Sequence, residues 1–302
     1  MFYELQLSPP DIESITADWL KCSEITTLRL DSMHPELGGN KWFKLKLNLE
    51  EATKQGKSTL LSFGGAYSNH LRALAAAGSL FGFKTIGLVR GEIVTPLNPS
   101  LAFAVSQGME LIPVSRSQYR LKSTPSFLEQ LRIIHGDPYI IPEGGSNLLG
   151  VRGCMDIASY LPEQKDGQNR VLVLACGTGA TMGGLIAGLQ SHAISNIEVI
   201  GISVLKAPGY IASEVEGYVV QLMRETNIDS FSWQVIDEFH CGGYGKISSQ
   251  LESFMVEWTR TINVPIEGVY SGKMFWGIEQ LCMKGLIKDE SEIIAIHTGG
   301  LY

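Results

Sequence analysis

The chain has 302 residues, of which 44% are apolar and only 18% charged, with a formal net charge of −7. That length allows one large α/β unit or two modest domains, and the apolar fraction excludes a disordered chain. The acidic balance argues against nucleic acid or an anionic membrane surface as a main partner, so any anion must be gripped locally.

The opening MFYELQLSPPDIES has no basic stretch followed by an apolar one, so no signal peptide is expected. No run of about 18 apolar residues predicts a membrane span. GGNKWFK (38–44) sets a lysine behind a tight turn at the mouth of a helix. STLLSF (58–63) then reads as a buried strand, SNHLRALAAAGSLFG (68–82) as a helix and KTIGLVRG (84–91) as the next strand. Pro99–Gln107 predicts a helix, 109–115 a strand, 127–136 a helix and 138–145 another strand. A second series starts with the strand of RVLVLACGTGAT (170–181), continues through a Gly-rich helix and reaches IEVIGISV (197–204). Helices around Lys246–Thr261 and Met274–Lys284 and the strand in EIIAIHTGG (292–300) close it. Repeated strand–helix–strand units predict parallel sheets with right-handed crossovers. The expected fold class is α/β, two open parallel sheets flanked by helices. The expected division is 1–46 with 148–302 as a larger domain and 47–147 as a smaller inserted one, with the active site between them. Five cysteines, odd in number and without a CxxC pair, read as reduced thiols of a cytoplasmic protein.

Three Gly-rich turns carry the chemistry. FGGAYSNH (63–70) opens a helix with Ser68, Asn69 and His70, where free amides suit a carboxylate or phosphate; Ser68 alone reads equally well as an N-cap. ACGTGATMGG (175–184) follows an apolar strand and forms a phosphate cup with hydroxyls from Thr178 and Thr181. It lacks both the Lys-Ser/Thr pair of a Walker A loop and the third glycine of a dinucleotide fingerprint, which disfavours a nucleotide-binding domain and points to a small phosphorylated cofactor. In GGNK, Lys41 would read by itself as a solvated helix-start residue. Beside a phosphate cup and a carboxylate clamp, it reads as an amine placed to attack a carbonyl. These are the requirements of a pyridoxal phosphate enzyme acting on an amino acid.

HPELGGNKWFKLKLNL, FGGAYSNH, IPEGGSN, CGTGAT, CGGYGK, VYSGKMFWGI and AIHTGGL occur in an order that resembles the 1-aminocyclopropane-1-carboxylate (ACC) deaminase / D-cysteine desulfhydrase family, from about residue 25 onward. The resemblance implies fold type II of the pyridoxal 5′-phosphate enzymes, the tryptophan-synthase-β-like group. It also implies a homodimer with a small amino-acid substrate; apart from the resemblance, the cysteines and histidines lack metal-ligand spacing, so no metal is expected. Lys41 matches the Schiff-base lysine, and Lys44 would lean toward the phosphate. Ser68 matches the catalytic serine and Asn69 the residue that bonds the cofactor 3′-oxygen. Amides and side chains of Ser68, Asn69 and His70 would hold the substrate carboxylate. Gly177, Thr178, Gly179, Ala180 and Thr181 would form the phosphate cup, and Tyr244 and Tyr270 match two active-site tyrosines. The sequence departs from the family at RLDS (29–32), where an acidic pair is usual, and at Phe43, where arginine is common. Relatives also run on beyond HTGGLY, a difference expected to weaken packing near the cofactor ring.

ACC deaminases proper carry glutamate after the second tyrosine and leucine in HLGG; Ser271 and Thr298 stand there instead, the pattern of the D-cysteine desulfhydrase branch. The expected activity is therefore β-elimination from a D-cysteine-like substrate, giving pyruvate, ammonia and sulfide. ACC ring opening to α-ketobutyrate is the alternative, and a non-catalytic pyridoxal phosphate protein a reading of another class. Trp233, Trp258 and Trp276 are expected in packing, His297 in a strand-end hydrogen bond, and Cys176 is not expected to act as a nucleophile.

Overall fold

The computed structural model describes residues 7–164, 168–191, 196–223 and 232–301. In chain order the regular elements are β1 (Asp11–Ile15), β2 (Ile25–Arg29), α1 (Asn40–Lys54), β3 (Thr59–Gly64), α2 (Asn69–Phe81), β4 (Lys84–Arg90) and α3 (Pro99–Ser106). They continue with β5 (Glu110–Val114), α4 (Arg116–Tyr119), α5 (Pro125–Ile134), β6 (Tyr139–Ile140), α6 (Leu148–Cys154), β7 (Arg170–Cys176) and α7 (Ala180–Ser191). The last are β8 (Ile197–Ser203), α8 (Tyr210–Met223), β9 (Ser232–Ile236), α9 (Ser249–Thr261), α10 (Ser271–Met283) and β10 (Glu292–His297).

Two compact units emerge. The smaller, Lys41–Gly153, is built on a four-stranded sheet of order β5-β4-β3-β6 with every pair parallel. Its core packs Leu61, Phe63, Ile86, Leu88, Val114, Tyr119 and Leu131. Local chemistry sets its helix ends: Ser68 caps α2 through Leu71 N, and Gly82 closes it with φ 75°, left-handed backbone that glycine adopts without penalty. Asn98 caps α3 by accepting from Ser100 N and Leu101 N, while its Nδ2 donates to Ala66 O (3.0 Å), pinning the turn ahead of Ser68.

The larger unit, Leu7–Asn40 with Cys154–Leu301, carries a six-stranded sheet of order β1-β2-β10-β7-β8-β9. All of its pairs are parallel except β1–β2, an antiparallel edge the strand–helix alternation did not predict. Every residue of β7 is buried, as befits a central strand covered on both faces. Trp258 lies wholly buried with Nε1 donating to Val264 O, Trp276 meets Phe239 edge-on, and Trp233 is half-buried. The units divide at Asn40/Lys41 and Gly153/Cys154, six residues from each boundary expected from the sequence. The GGN turn is bonded into the larger unit, and the rest of α1 belongs to the smaller.

Candidate active site

The turn before Lys41 is fixed by backbone. Gly38 N donates to His34 O (2.9 Å), Gly39 N to Leu30 O (2.6 Å) and Asn40 N to Thr298 O (3.0 Å). Gly39 has φ +82°, and any Cβ there would run into the Thr298 carbonyl, so two independent reasons require glycine. Thr298 thus contributes its carbonyl to the turn. Asn40 opens α1, and its Nδ2 donates to Thr181 Oγ1 (2.9 Å). Lys41 is the next residue in the chain, so the lysine issues directly from a side chain already bonded to the phosphate loop. The sequence reading passed over Asn40, although its place in GGNK was the available signal.

That loop runs from the end of β7 into α7, whose first residues are Ala180 and Thr181. Helix-start amides have no intrahelical acceptor, and Gly179 turns the chain with φ +73° to present them. A Cβ on Gly177 would sit 3.2 Å from Tyr270 Cε1, which places the tyrosine ring against the cup. Tyr270 meets Tyr244 edge to face, ring centroids 5.9 Å apart, with their hydroxyls 3.4 Å apart. Cys176 is buried against Met182 Sδ, a packing position.

Helix α10 starts at Ser271, three residues earlier than expected, because Glu267 caps it. Glu267 Oε1 accepts from Tyr270 N (2.7 Å) and Ser271 N (2.8 Å), and Oε2 from Val269 N (2.7 Å). The Ser271 hydroxyl accepts from Glu267 N (2.9 Å) and meets Glu267 Oε1 (3.3 Å). A carboxylate four residues before Ser271 was the signal for this cap.

In the smaller unit, Ser68 is the N-cap of α2 (Oγ accepting from Leu71 N at 3.2 Å), and Asn69 and His70 supply the helix's first amides. Lys44, one turn beyond Lys41, is 3% exposed. His70 is also buried, and its Nε2 lies 2.8 Å from Ser62 Oγ. Ser62 donates its own proton to Ile141 O (2.7 Å), so His70 must donate Nε2–H and keep Nδ1 as an acceptor. Burial, then the charges of Lys41 and Lys44, lower the His70 pKa to about 3. A neutral ring whose N–H is already given away cannot donate to a substrate carboxylate. In this arrangement the donor that His70 presents at the helix start is its backbone amide. Nδ1 is buried without a partner, and a Cβ on Gly145 of the IPEGGSN motif would sit 3.1 Å from Lys44 Cβ and 3.3 Å from His70 Cε1.

At the end of β10, His297 is fully buried between Pro265 O (2.9 Å from Nε2) and Asp31 Oδ1 (3.0 Å from Nδ1). Arg29 grips Asp31 with Nε and Nη2 (2.9 and 2.6 Å) and reaches Glu13 with Nη1 (2.6 Å). Burial raises the Asp31 pKa, but the bonds from His297 and Arg29 outweigh it and hold the carboxyl well below the usual range. The single acid of RLDS thus braces the segment leading to Thr298.

A glycine cup at a helix start, with Thr181 bonded to the residue before a lysine, suits a ligand carrying both a phosphate and a carbonyl. Residues 18–299 match the family model described as pyridoxal-phosphate dependent enzyme. The chain belongs to that family. This pyridoxal-phosphate dependent enzyme, whose cofactor is pyridoxal 5′-phosphate, is 29% identical over 310 residues to a Thermotoga maritima protein named "Putative 1-aminocyclopropane-1-carboxylate deaminase", covering 100% of this chain and 97% of the relative. Its fold is that of a solved ACC deaminase homologue (TM-score 0.84, 24% identity, 99% of this chain and 91% of the other). A hydrogen sulfide-producing enzyme from Fusobacterium nucleatum shares the fold at TM-score 0.65 and 15% identity, covering 97% of this chain and 95% of the other. Both belong with fold type II, as the motif order implied. Among the described residues, no helix is long and apolar enough to cross a membrane.

Proposed function

We propose that this enzyme removes the β-substituent of a small D-amino acid of the D-cysteine type: with one water, D-cysteine gives pyruvate, ammonia and hydrogen sulfide. The observation that carries this reading is the chemistry at position 271, a neutral hydroxyl anchored to Glu267, whose own oxygens accept three α10-capping amides. When bound, pyridoxal phosphate withdraws electrons from the substrate α-carbon. A carboxylate at the pyridine nitrogen would strengthen that withdrawal, and opening an unactivated cyclopropane needs the stronger form. Expelling a thiolate from the adjacent carbon needs less.

In this reading Gly177, Thr178, Gly179, Ala180 and Thr181 hold the phosphate, with Lys44 adding positive charge. Lys41 Nζ would hold the cofactor's carbonyl carbon and, as a free amine, would accept the proton of the substrate α-carbon. Asn69 would bond the cofactor's 3′-oxygen, while the Ser68 hydroxyl and the amides of Asn69 and His70 would take the substrate carboxylate. Tyr244 and Tyr270 would offer their paired hydroxyls to the departing group, and Ser271 and Thr298 would serve as partners for the cofactor ring. The Thermotoga relative's name supports the alternative, ACC ring opening. The double change Ser271→Glu with Thr298→Leu separates the two: activity should move toward ACC at the expense of D-cysteine, and a variant that keeps the parent's preference would count against this assignment. Five cysteines, none in a disulfide among the described residues, support a reducing, cytoplasmic setting. A homodimer is the assembly expected in this reading; sedimentation at micromolar concentration should show it, and monomer alone would count against it.

A further inference from the structure

Lys273 occupies the first turn of α10 and is fully buried. Both circumstances are unfavourable. An ammonium at a helix N-terminus opposes the dipole, and burial strips it of water. Burial accordingly lowers its pKa, opposed by Cys241 and Glu267. What it does there is donate Nζ to Gly243 O at 2.8 Å.

Gly243 belongs to a turn whose backbone is left-handed at Cys241 (φ 54°), Gly242 (94°), Gly243 (118°) and Gly245 (66°). Inside the turn, Gly242 N donates to His240 Nδ1 (2.9 Å), Gly243 N to His240 O (3.0 Å) and Lys246 N to Gly243 O (3.1 Å). Gly243 O therefore receives two donors, one from the turn and one from α10. The next residue is Tyr244, 45% exposed, whose ring stands against Tyr270. Tyr270 is the N-cap of α10, three residues before Lys273, and its ring lies against Gly177 of the phosphate cup.

We propose that Lys273 is a positioning residue: its buried amine ties the 240–246 turn to α10 and thereby sets Tyr244 against Tyr270 beside the Gly177 cup. This rests on the proposed function only in counting the tyrosine pair as part of the active site. The tether itself is independent of the substrate.

The test is amide hydrogen exchange on the cofactor-loaded enzyme, comparing wild type with Lys273→Met and Lys273→Gln. In Lys273→Met the amides of Gly242, Gly243 and Lys246 should exchange at least about tenfold faster while those of β7 and β8 are unchanged. Lys273→Gln, which keeps an N–H donor on a shorter arm, should recover part of that protection. Bound cofactor, read from its absorbance, should stay at wild-type level in both, and kcat/KM of Lys273→Met should fall about tenfold or more. Wild-type exchange at those three amides in a folded Lys273→Met protein overturns the tether. So does failure of both variants to fold, which would make Lys273 a general core residue. Faster exchange with unchanged kcat/KM overturns the placement of Tyr244. If wild type turns over no substrate, the proposed function fails and the exchange result still decides the tether.

Discussion

Lowering the pH should destabilise the smaller unit through His70. Its ring is buried, bonded through Nε2 to Ser62, and has a pKa lowered from 6.5 to about 3. Between those values the unfolded chain binds a proton that the folded chain refuses, so stability rises with pH across this window. The stability is fully present above 6.5 and is lost progressively as the pH falls toward about 3. From about pH 7.5 to about pH 5, the linkage relation gives a loss of about 2 kcal/mol from this residue alone. Urea unfolding of the cofactor-free protein at the two pH values, for wild type and His70→Gln, isolates the effect. The glutamine amide can still donate to Ser62 but takes up no proton. Wild type should therefore lose about 2 kcal/mol more than the variant over that interval. Equal losses in the two proteins would refute the assignment of a buried neutral imidazole.

Three further outcomes are expected. Borohydride reduction of the coloured enzyme followed by digestion should place the pyridoxyl group on Lys41, not Lys44 or Lys273, and Lys41→Ala should abolish turnover because anchor and base are removed together. Ser68→Ala should cost about 1 kcal/mol as a lost N-cap, while turnover drops about a hundredfold if the hydroxyl also holds substrate; unchanged turnover in a folded variant would leave only the cap. Asp31→Ala should destabilise the protein by about 3 kcal/mol, since it strips the buried His297 of its acid partner and the half-buried Arg29 of one of its two carboxylates, and thermal unfolding reads this directly.

Much of the fold could be read from local sequence. RVLVLAC is a continuous apolar run because β7 is covered on both faces, and α2 announces itself by Ser68 at one end and Gly82 at the other. In the six-stranded sheet β1, β2 and β9 were not legible: DIESI is mostly exposed, SWQVI alternates exposed and half-buried residues, and neither they nor ITTLR form an apolar run, so these strands and the antiparallel β1–β2 pairing surfaced only with the structure. The site divides in the same way. Gly-rich turns and their order marked the phosphate loop and Lys41. The state of individual side chains depends on distant partners instead. His70's tautomer is set by Ser62 and by a carbonyl on Ile141, and the Ser271 hydroxyl is taken by Glu267 only because α10 begins earlier than its apolar pattern suggests.

The central claim is the choice of reaction, and keto-acid analysis of the unmodified holoenzyme tests it most directly. Offered D-cysteine, β-chloro-D-alanine and ACC in parallel, the enzyme should form pyruvate from the first two, with sulfide from D-cysteine, and little or no α-ketobutyrate from ACC. Efficient α-ketobutyrate formation from ACC with D-cysteine left intact would contradict it.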